Sequence, residues 1–504
     1  MKAILSLDQG TTGSTALVVG ADGGVHARAY SEFTQHFPRP GWVEHDAEEI
    51  WRITRQMGRE ALESAPEEID VVGIGITNQR ETVVVWDRET LEPVHRAIVW
   101  QDRRTASICE SLRKAGHESD VRARTGLVLD PYFSGTKLTW LMREHADIRI
   151  RAEEGDLAVG TIDAWLIARL TGGAVHATDP TNASRTLLFD LRDRAWSSEM
   201  ADLLQVPLEI LPEVRRSSGD FGTATADAFG RELPIAGVAG DQQAALFGQG
   251  CWDPGLAKNT YGTGAFLLMY TGEREPRTSD HGLLSTVACA ADGSAGYALE
   301  GSVFVAGAAI QWLRDGLGLI ESSSETEVLA DSVESTDGVS FVPAFVGLGA
   351  PHWDPEARGT ITGLTRGTTK AHLARAALEA MAYRSAEVLE AMQADAGIEL
   401  AELRVDGGAS ANDWLMRFQA EVLGRPVRRP AMVETTALGA AGLAGIALDV
   451  WSDSESFLAA AGGSERFDPG DRRLAASIDR SAWNRAVEAT RAWAASLVSD
   501  KSGR

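Results

Sequence analysis

Apolar positions along the chain fall into two rhythms, one of short runs and one of helical spacing. "AILSLDQGTTGSTALVVGADGG" opens with the first kind. It predicts a strand over Ala3–Leu7, a turn, a second strand over Thr15–Val19, and a closing turn at "GADGG". "WVEHDAEEIWRITRQMGREAL" has the second rhythm. Ile50, Ile53, Met57 and Ala61 share one helical face, Asp46 is placed to cap it, and Glu49 follows three residues later. "VVGIGITNQRE" reads as a buried strand ending in polar residues, "TVVVWD" as another strand, and "ETLEPVHRAIVWQDRR" as a repeat of the strand-then-polar arrangement. Such alternation predicts an α/β chain with mixed sheets.

Near Gly250 the pattern restarts. "GLAKNTYGTGAFLLMYTGE" has the plan of the N-terminus: strand, small Thr/Gly turn, apolar strand. "TTKAHLARAALEAMAYRSAEVLEAM" is a long helix, with Leu373, Ala377, Met381, Val388 and Met392 near helical spacing. "LRVDGGASANDWLMRFQAEVLG" reads as strand, glycine turn, helix. Two related halves are therefore expected, 1–250 and 251–504, with the boundary in 245–260. "TTALGAAGLAGIAL" is too short to span a bilayer and reads as a buried helix of small residues on which something packs closely. The tail beyond Asp449 is Ala-rich and amphipathic and is expected to form peripheral helices.

Composition narrows the classes. At 504 residues and 44% hydrophobic content the chain exceeds one ordinary core. Its net charge of −24 excludes a broad nucleic-acid surface, because phosphate backbones would be repelled. A small phosphorylated ligand remains open if a cleft supplies donors or a cation. The three cysteines, Cys109, Cys251 and Cys289, form no CxxC pair, which argues against a disulfide framework or zinc knuckle and fits a reducing compartment. The start, "MKAILSLDQG", lacks the apolar segment of a signal peptide, and no membrane insertion is expected. GxxxxGK[ST] and GxGxxG are both absent; Asp220-Phe221-Gly222 stands without the other kinase motifs and is read as chance.

Three small turns each follow a strand: Gly10-Thr11-Thr12-Gly13, Gly262-Thr263-Gly264 and Gly407-Gly408-Ala409. Each can aim several backbone N–H groups at one spot, as phosphate oxygens require. One alone would be an ordinary hairpin; three in matching positions predict a nucleotide between the halves. Asp8 beside the first turn needs an intervening cation, and Mg²⁺ binds through one or two carboxylates with waters and phosphate oxygens. In "GVAGDQQAALFGQG" the strand Ile235–Ala239 ends at Gly240-Asp241-Gln242. Asp241 is either the N-cap of the next helix or a carboxylate projecting into a cleft, where it can accept a hydroxyl proton. Arg80 beside Glu81 is either an ion pair or the donor and acceptor set for a neutral polyol. Trp100 and Tyr132 are either core or walls for its C–H face.

Together these stretches resemble the FGGY family of carbohydrate kinases, specifically its glycerol-phosphorylating members. "LDQGTTGSTA", "PGWVEHD", "GITNQRET", "AIVWQDRRTA", "TDPTNASRTLLFD", "AGDQQAALFGQ", "KNTYGTGAFLLM" and "RVDGGASANDWLM" occur in family order, and "YFSGTKLTWLMRE" and "GTITGLTRGTTKAHLARAALE" look like its two signatures. The resemblance implies two ribonuclease-H-like domains of the actin/hexokinase/Hsp70 type around a cleft. It implies ATP-dependent phosphorylation of glycerol to sn-glycerol 3-phosphate, in the cytoplasm, by a homo-oligomer (dimer or tetramer). By resemblance, Arg80, Glu81, Trp100, Tyr132, Asp241, Gln242 and Phe266 would hold glycerol, with Asp241 as general base. Asp8 and Asp241 would hold Mg²⁺. Thr11, Thr12, Gly13 and Thr263 would meet the phosphates, and Gly307, Gln311, Gly408 and Asn412 the rest of ATP or ADP. Family members often have serine at Gly13 and arginine at Thr15, so nucleotide affinity is expected to differ. "TATADAFGRELPIAG" lacks the Gly/Lys-rich loop on which fructose-bisphosphate inhibition is built in well-known bacterial members. Two rivals follow from the same scaffold: a kinase of a pentulose, erythritol or gluconate, and a non-catalytic nucleotide switch of the actin kind.

Overall fold

A computed structural model of the chain describes residues 1–432 and 434–502, the side chains of 497–502 apart. Strands β1 (Lys2–Gln9), β2 (Gly13–Gly20) and β3 (Val25–Glu32) form an antiparallel meander. Helix α1 (Ala47–Ser64) then returns the chain to β4 (Asp70–Asn78), parallel to β1. Asp46 caps α1 through the N–H groups of Glu48 and Glu49, and Ile50, Ile53, Met57 and Ala61 are buried, as the spacing requires. Glu49 does not close a box on Asp46; its carboxylate accepts from Thr34 instead. After a long segment holding the one-turn helix α2 (Pro180–Ala183), β5 (Thr223–Ala224) and β6 (Leu233–Gly240) complete a six-stranded sheet in the order β5-β6-β4-β1-β2-β3. Helix α3 (Asp241–Gly248) starts directly from β6.

The plan then repeats. Strands β7 (Leu256–Tyr261), β8 (Ala265–Gly272), β9 (Leu284–Cys289) and β10 (Ala295–Val303) are antiparallel neighbours in the order β9-β10-β8-β7. Short helix α4 (Gly307–Gln311) and the 27-residue α5 (Lys370–Ala396) lead to β11 (Glu402–Asp406), parallel to β7. Helix α6 (Asp413–Leu423) leads to β12 (Val427–Pro430), parallel to β11. Three antiparallel strands in the first sheet, and four in the second, are followed by two parallel ones, so β1 and β4 correspond to β7 and β11.

Helix α7 (Thr435–Ala447) explains why "TTALGAAGLAGIAL" is so poor in large side chains. It lies on the first sheet and on α3 at backbone distance. A Cβ on Gly75 would stand 2.3 Å from the Ala440 carbonyl oxygen, and one on Gly439 would stand 1.9 Å from that of Ala244. The glycines of "VVGIGITN" therefore serve close packing of a helix on a strand.

Several expectations need correction. The tail after Asp449 is not all helix: β13 (Ser464–Phe467) pairs with β12 and extends the second sheet to seven strands. Its main chain saturates an edge that the Ala-rich composition did not advertise. The strand in "HRAIVWQD" is only Ala97–Ile98. Gly13 belongs to β2, opposite Glu32, rather than to the turn, and a side chain there would strike the Ser31 carbonyl and the Tyr30 ring.

Candidate active site

Parallel pairing brings one set of strand ends together. Gln9 and Gly240 both lie opposite Asn78, so Asp8, the Arg80-Glu81 pair and Asp241 converge on one edge of the first sheet. In the second sheet Thr260 lies opposite Asp406, which sets the turns at Gly262–Gly264 and Gly407–Gly408 side by side. The two edges meet: Lys258 of β7 donates to Oε1 of Gln242 on α3. Open α/β sheets bind ligands at such carboxyl ends.

Arg80 sits at the centre. Its Nη1 and Nη2 donate to Glu300 of β10 at 2.6 and 3.1 Å, and its Nε stands 3.2 Å from Oδ1 of Asp241. Burial opposes its charge, but Glu300, Glu81 and Asp241 outweigh burial and hold the guanidinium above its ordinary value. Gly240 must be glycine here, because a Cβ would meet Arg80 Cγ at 2.7 Å. Glu81 has φ 63°, the left-handed region that glutamate rarely occupies. That backbone costs about 1–3 kcal/mol and is kept only where surroundings over-determine it. Here Arg185 Nε donates to its Oε1 at 2.6 Å, and Ser134 Oγ donates to its carbonyl at 3.0 Å. Arg185 also reaches Glu300 at 3.0 Å. Burial resists Glu300's charge, yet Arg185 and Arg80 bring its carboxyl down to about 2.

Asp241 is the first residue of α3, and Gly240 is the N-cap, which settles the helix-capping alternative against Asp241. Its carboxylate is 32% exposed, whereas Arg80 and Glu300 behind it are buried. Burial and then the Asp241 carboxylate push the Asp8 carboxyl up to about 7. Among the described residues no donor bonds the Asp8 carboxylate, and Thr77, its register partner on β4, has a buried hydroxyl without a partner. Two converging carboxylates and an orphaned hydroxyl fit a hydrated divalent cation of the Mg²⁺ type.

The remaining residues of interest divide. Trp100 Nε1 donates to Thr11 Oγ1 at 2.9 Å and its ring meets Tyr132 edge-on at 5.5 Å, so the first turn and the aromatic pair are one unit. Buried Lys137 donates to the carbonyls of Pro131, Tyr132 and Phe133 and fixes the loop bearing Tyr132. Phe266 is half-buried on β8, opposite Ser302. Gly262–Gly264 abuts α4: Gly307 N–H donates to Gly262 O, and Ala306 and Ala308 donate to Thr263 O. Gly407, at φ 82°, lies against the Tyr261 backbone, with Gly408 open beside it. Asn412 caps α6 and donates to Thr326, while Gln311 is exposed at the end of α4.

Sequence reasoning missed Arg185, Glu300 and Lys258. The signal was present: each is a lone charge inside an apolar or small-residue run, "TNASRTLL", "GYALEGSV" and "GLAKNTY", and buried charges demand partners. Burial, opposed by the Asp406 and Asp241 carboxylates, brings the Lys258 ammonium down to about 8.

Fold and site together define a two-lobed α/β protein whose matching sheets close on a charged cleft. Residues 3–248 match the N-terminal domain, and 257–448 the C-terminal domain, of the FGGY family of carbohydrate kinases. The chain belongs to that family. It is 56% identical over 495 residues to a protein named glycerol kinase from Dechloromonas aromatica (strain RCB), covering 97% of this chain and 98% of the relative. A protein of the same name from Trichlorobacter lovleyi is 57% identical, with coverage of 98% and 100%. Among solved structures, Plasmodium falciparum glycerol kinase with ADP has a TM-score of 0.91 at 35% identity, covering 97% of this chain and 98% of that one. Ligand-bound xylulose kinase from Lactobacillus acidophilus shares the fold, with a TM-score of 0.87 at 22% identity over 98% and 99% of the two chains.

Proposed function

We propose that the chain transfers the terminal phosphoryl group of ATP to a terminal hydroxyl of glycerol, giving sn-glycerol 3-phosphate and ADP. The observation that carries this reading is the partly exposed Asp241 carboxylate, set at a strand end against Arg80, whose Nε also lies 3.8 Å from the Glu81 carboxylate. Near full-length identity to proteins named for this substrate supports it. A nucleotide switch has no use for such an acceptor set, and the strained backbone at Glu81 is a cost that substrate recognition explains.

Asp241 accepts the hydroxyl proton as the oxygen attacks phosphorus. Arg80 and Glu81 orient the polyol, and Trp100, Tyr132 and Phe266 cover its carbon face. Gln242 completes the set: Lys258 occupies its amide oxygen, which leaves the NH₂ group to donate. Thr11, Thr12, Gly13 and Thr263 supply donors to the phosphates; Gly307, Gln311, Gly408 and Asn412 border the rest of the nucleotide. Asp8 and Asp241 would hold Mg²⁺, which neutralises charge on the transferring group when bound. Closure of the lobes excludes water as a competing acceptor. The reading includes a division into 1–250 and 251–504, supported by the chain break in pattern between α3 and β7, a homo-oligomer, and a cytoplasmic location. Among the described residues no helix is long and apolar enough to cross a membrane.

Asp241→Asn tests the reading in a coupled ADP-release assay with glycerol. Turnover is expected to fall by about 10²–10⁴, the usual worth of a general base, with the glycerol KM changed only a few-fold. Turnover near wild type would remove Asp241 from the role.

A further inference from the structure

Residues 178–186 are buried without exception, although most are polar. Their bonds reach three places that matter. Asn182 of α2 exchanges amide hydrogen bonds of 3.0 and 3.1 Å with Asn78, the last residue of β4, two positions before Arg80. Arg185 pairs with Glu81 and Glu300. Thr181 Oγ1 accepts the Gly240 N–H at 2.8 Å, immediately before Asp241.

The third bond has a direction. A threonine hydroxyl carries one proton, and that of Thr181 goes to the Asp179 carboxylate at 2.7 Å. Asp179 is itself saturated by the N–H groups of Thr181 and Asn182, the Asn182 amide and the Ser217 hydroxyl. The Thr181 oxygen is thus left with only lone pairs to offer, and it is held rigidly to offer them. Gly240 needs such a partner. As N-cap of α3 it has no side chain with which to tie down its own turn, and Arg80 forbids it one. The Asp241 carboxylate has few constraints of its own: Arg80 Nε and the Gln242 N–H. Its placement therefore follows the backbone at Gly240.

We propose that Thr181 is a positioning residue for Asp241: the chain Gly240 N–H to Thr181 O–H to the Asp179 carboxylate aims the β6–α3 junction, and with it the base, at the acceptor. This rests on the reading of Asp241 as the base. Thr181→Val keeps the shape and removes the acceptor, while Thr181→Ser restores it. The expectation is a kcat lower by about 10 to 10², the scale of a small misplacement of a reacting group, with the glycerol KM within about threefold of wild type. The serine variant should recover kcat to within about threefold. A merely structural threonine would instead lower the melting temperature and leave kcat alone. If Thr181→Val does not fold, Thr181→Cys, of similar size and with a poor acceptor, takes its place. Full kcat in the folded valine or cysteine variant, beside an inactive Asp241→Asn, overturns the inference and leaves the base standing. A fully active Asp241→Asn overturns both.

Discussion

Glu300→Gln is the sharpest test of the buried charge network, because the structure sets its size. Glu300 reaches from the second sheet to two guanidinium groups of the first lobe, with contacts of 2.6, 3.1 and 3.0 Å. Its carboxyl stands at about 2 against an ordinary 4.5, a gap worth about 3–4 kcal/mol at about 1.4 kcal/mol per pH unit. The folded value is the lower one, so this stability is fully present above about 4.5 and drains away as pH falls toward 2. Breaking a buried pair by removing one partner costs about 3–5 kcal/mol, and glutamine, which keeps an acceptor oxygen, belongs at the lower end. At about 2–4 °C per kcal/mol for a unit of 150–250 residues, the melting temperature at pH 7 should fall by about 6–12 °C. Scanning calorimetry of both proteins between pH 7 and pH 3 reads this directly, and the gap between them should narrow below pH 4.5. Arg80, freed from its anchor, should also hold the acceptor less well, with kcat/KM for glycerol down by about 10 to 10². A melting temperature within 2 °C of wild type at pH 7, on the same scale, would refute the claim that Glu300 joins the lobes at the site.

Gly439→Ala should destabilise by about 3 kcal/mol, because its carbon would stand 1.9 Å from the Ala244 carbonyl oxygen and neither backbone can give way cheaply. Gly463→Ala, whose carbon meets nothing within 4 Å, is the control, and urea melts compare them. Burial, and then His36, brings the His45 imidazole down to about 4 from 6.5. Folding therefore holds it neutral while the unfolded chain binds the proton, and stability present above 6.5 is lost as pH falls toward 4. The loss should be about 2 kcal/mol between pH 7 and pH 5, and His45→Gln should flatten that part of the profile in urea melts; an unchanged slope would refute it.

The elements of this protein were legible where one period dominated. Helix α1 announced itself by Asp46 and the spacing Ile50, Ile53, Met57, Ala61, and the repeated strand-turn-strand plan foretold two sheets of one design. The edge strand β13 was not legible, because four residues of mixed polarity in an Ala-rich tail become a strand only when β12 offers its free edge. Within the site, Arg80, Glu81, Asp8 and Asp241 stood out as charges at the ends of apolar runs. What each charge does was decided elsewhere. Glu300 lies 220 residues from Arg80 along the chain, and Thr181 lies 59 from Gly240. By itself the chain determined periodicity, caps and which residues must find partners, since these depend on neighbours a few positions away. Only the tertiary structure decided which partners they found, because a buried charge is satisfied by whatever the fold brings within 3 Å, whatever its place in the sequence.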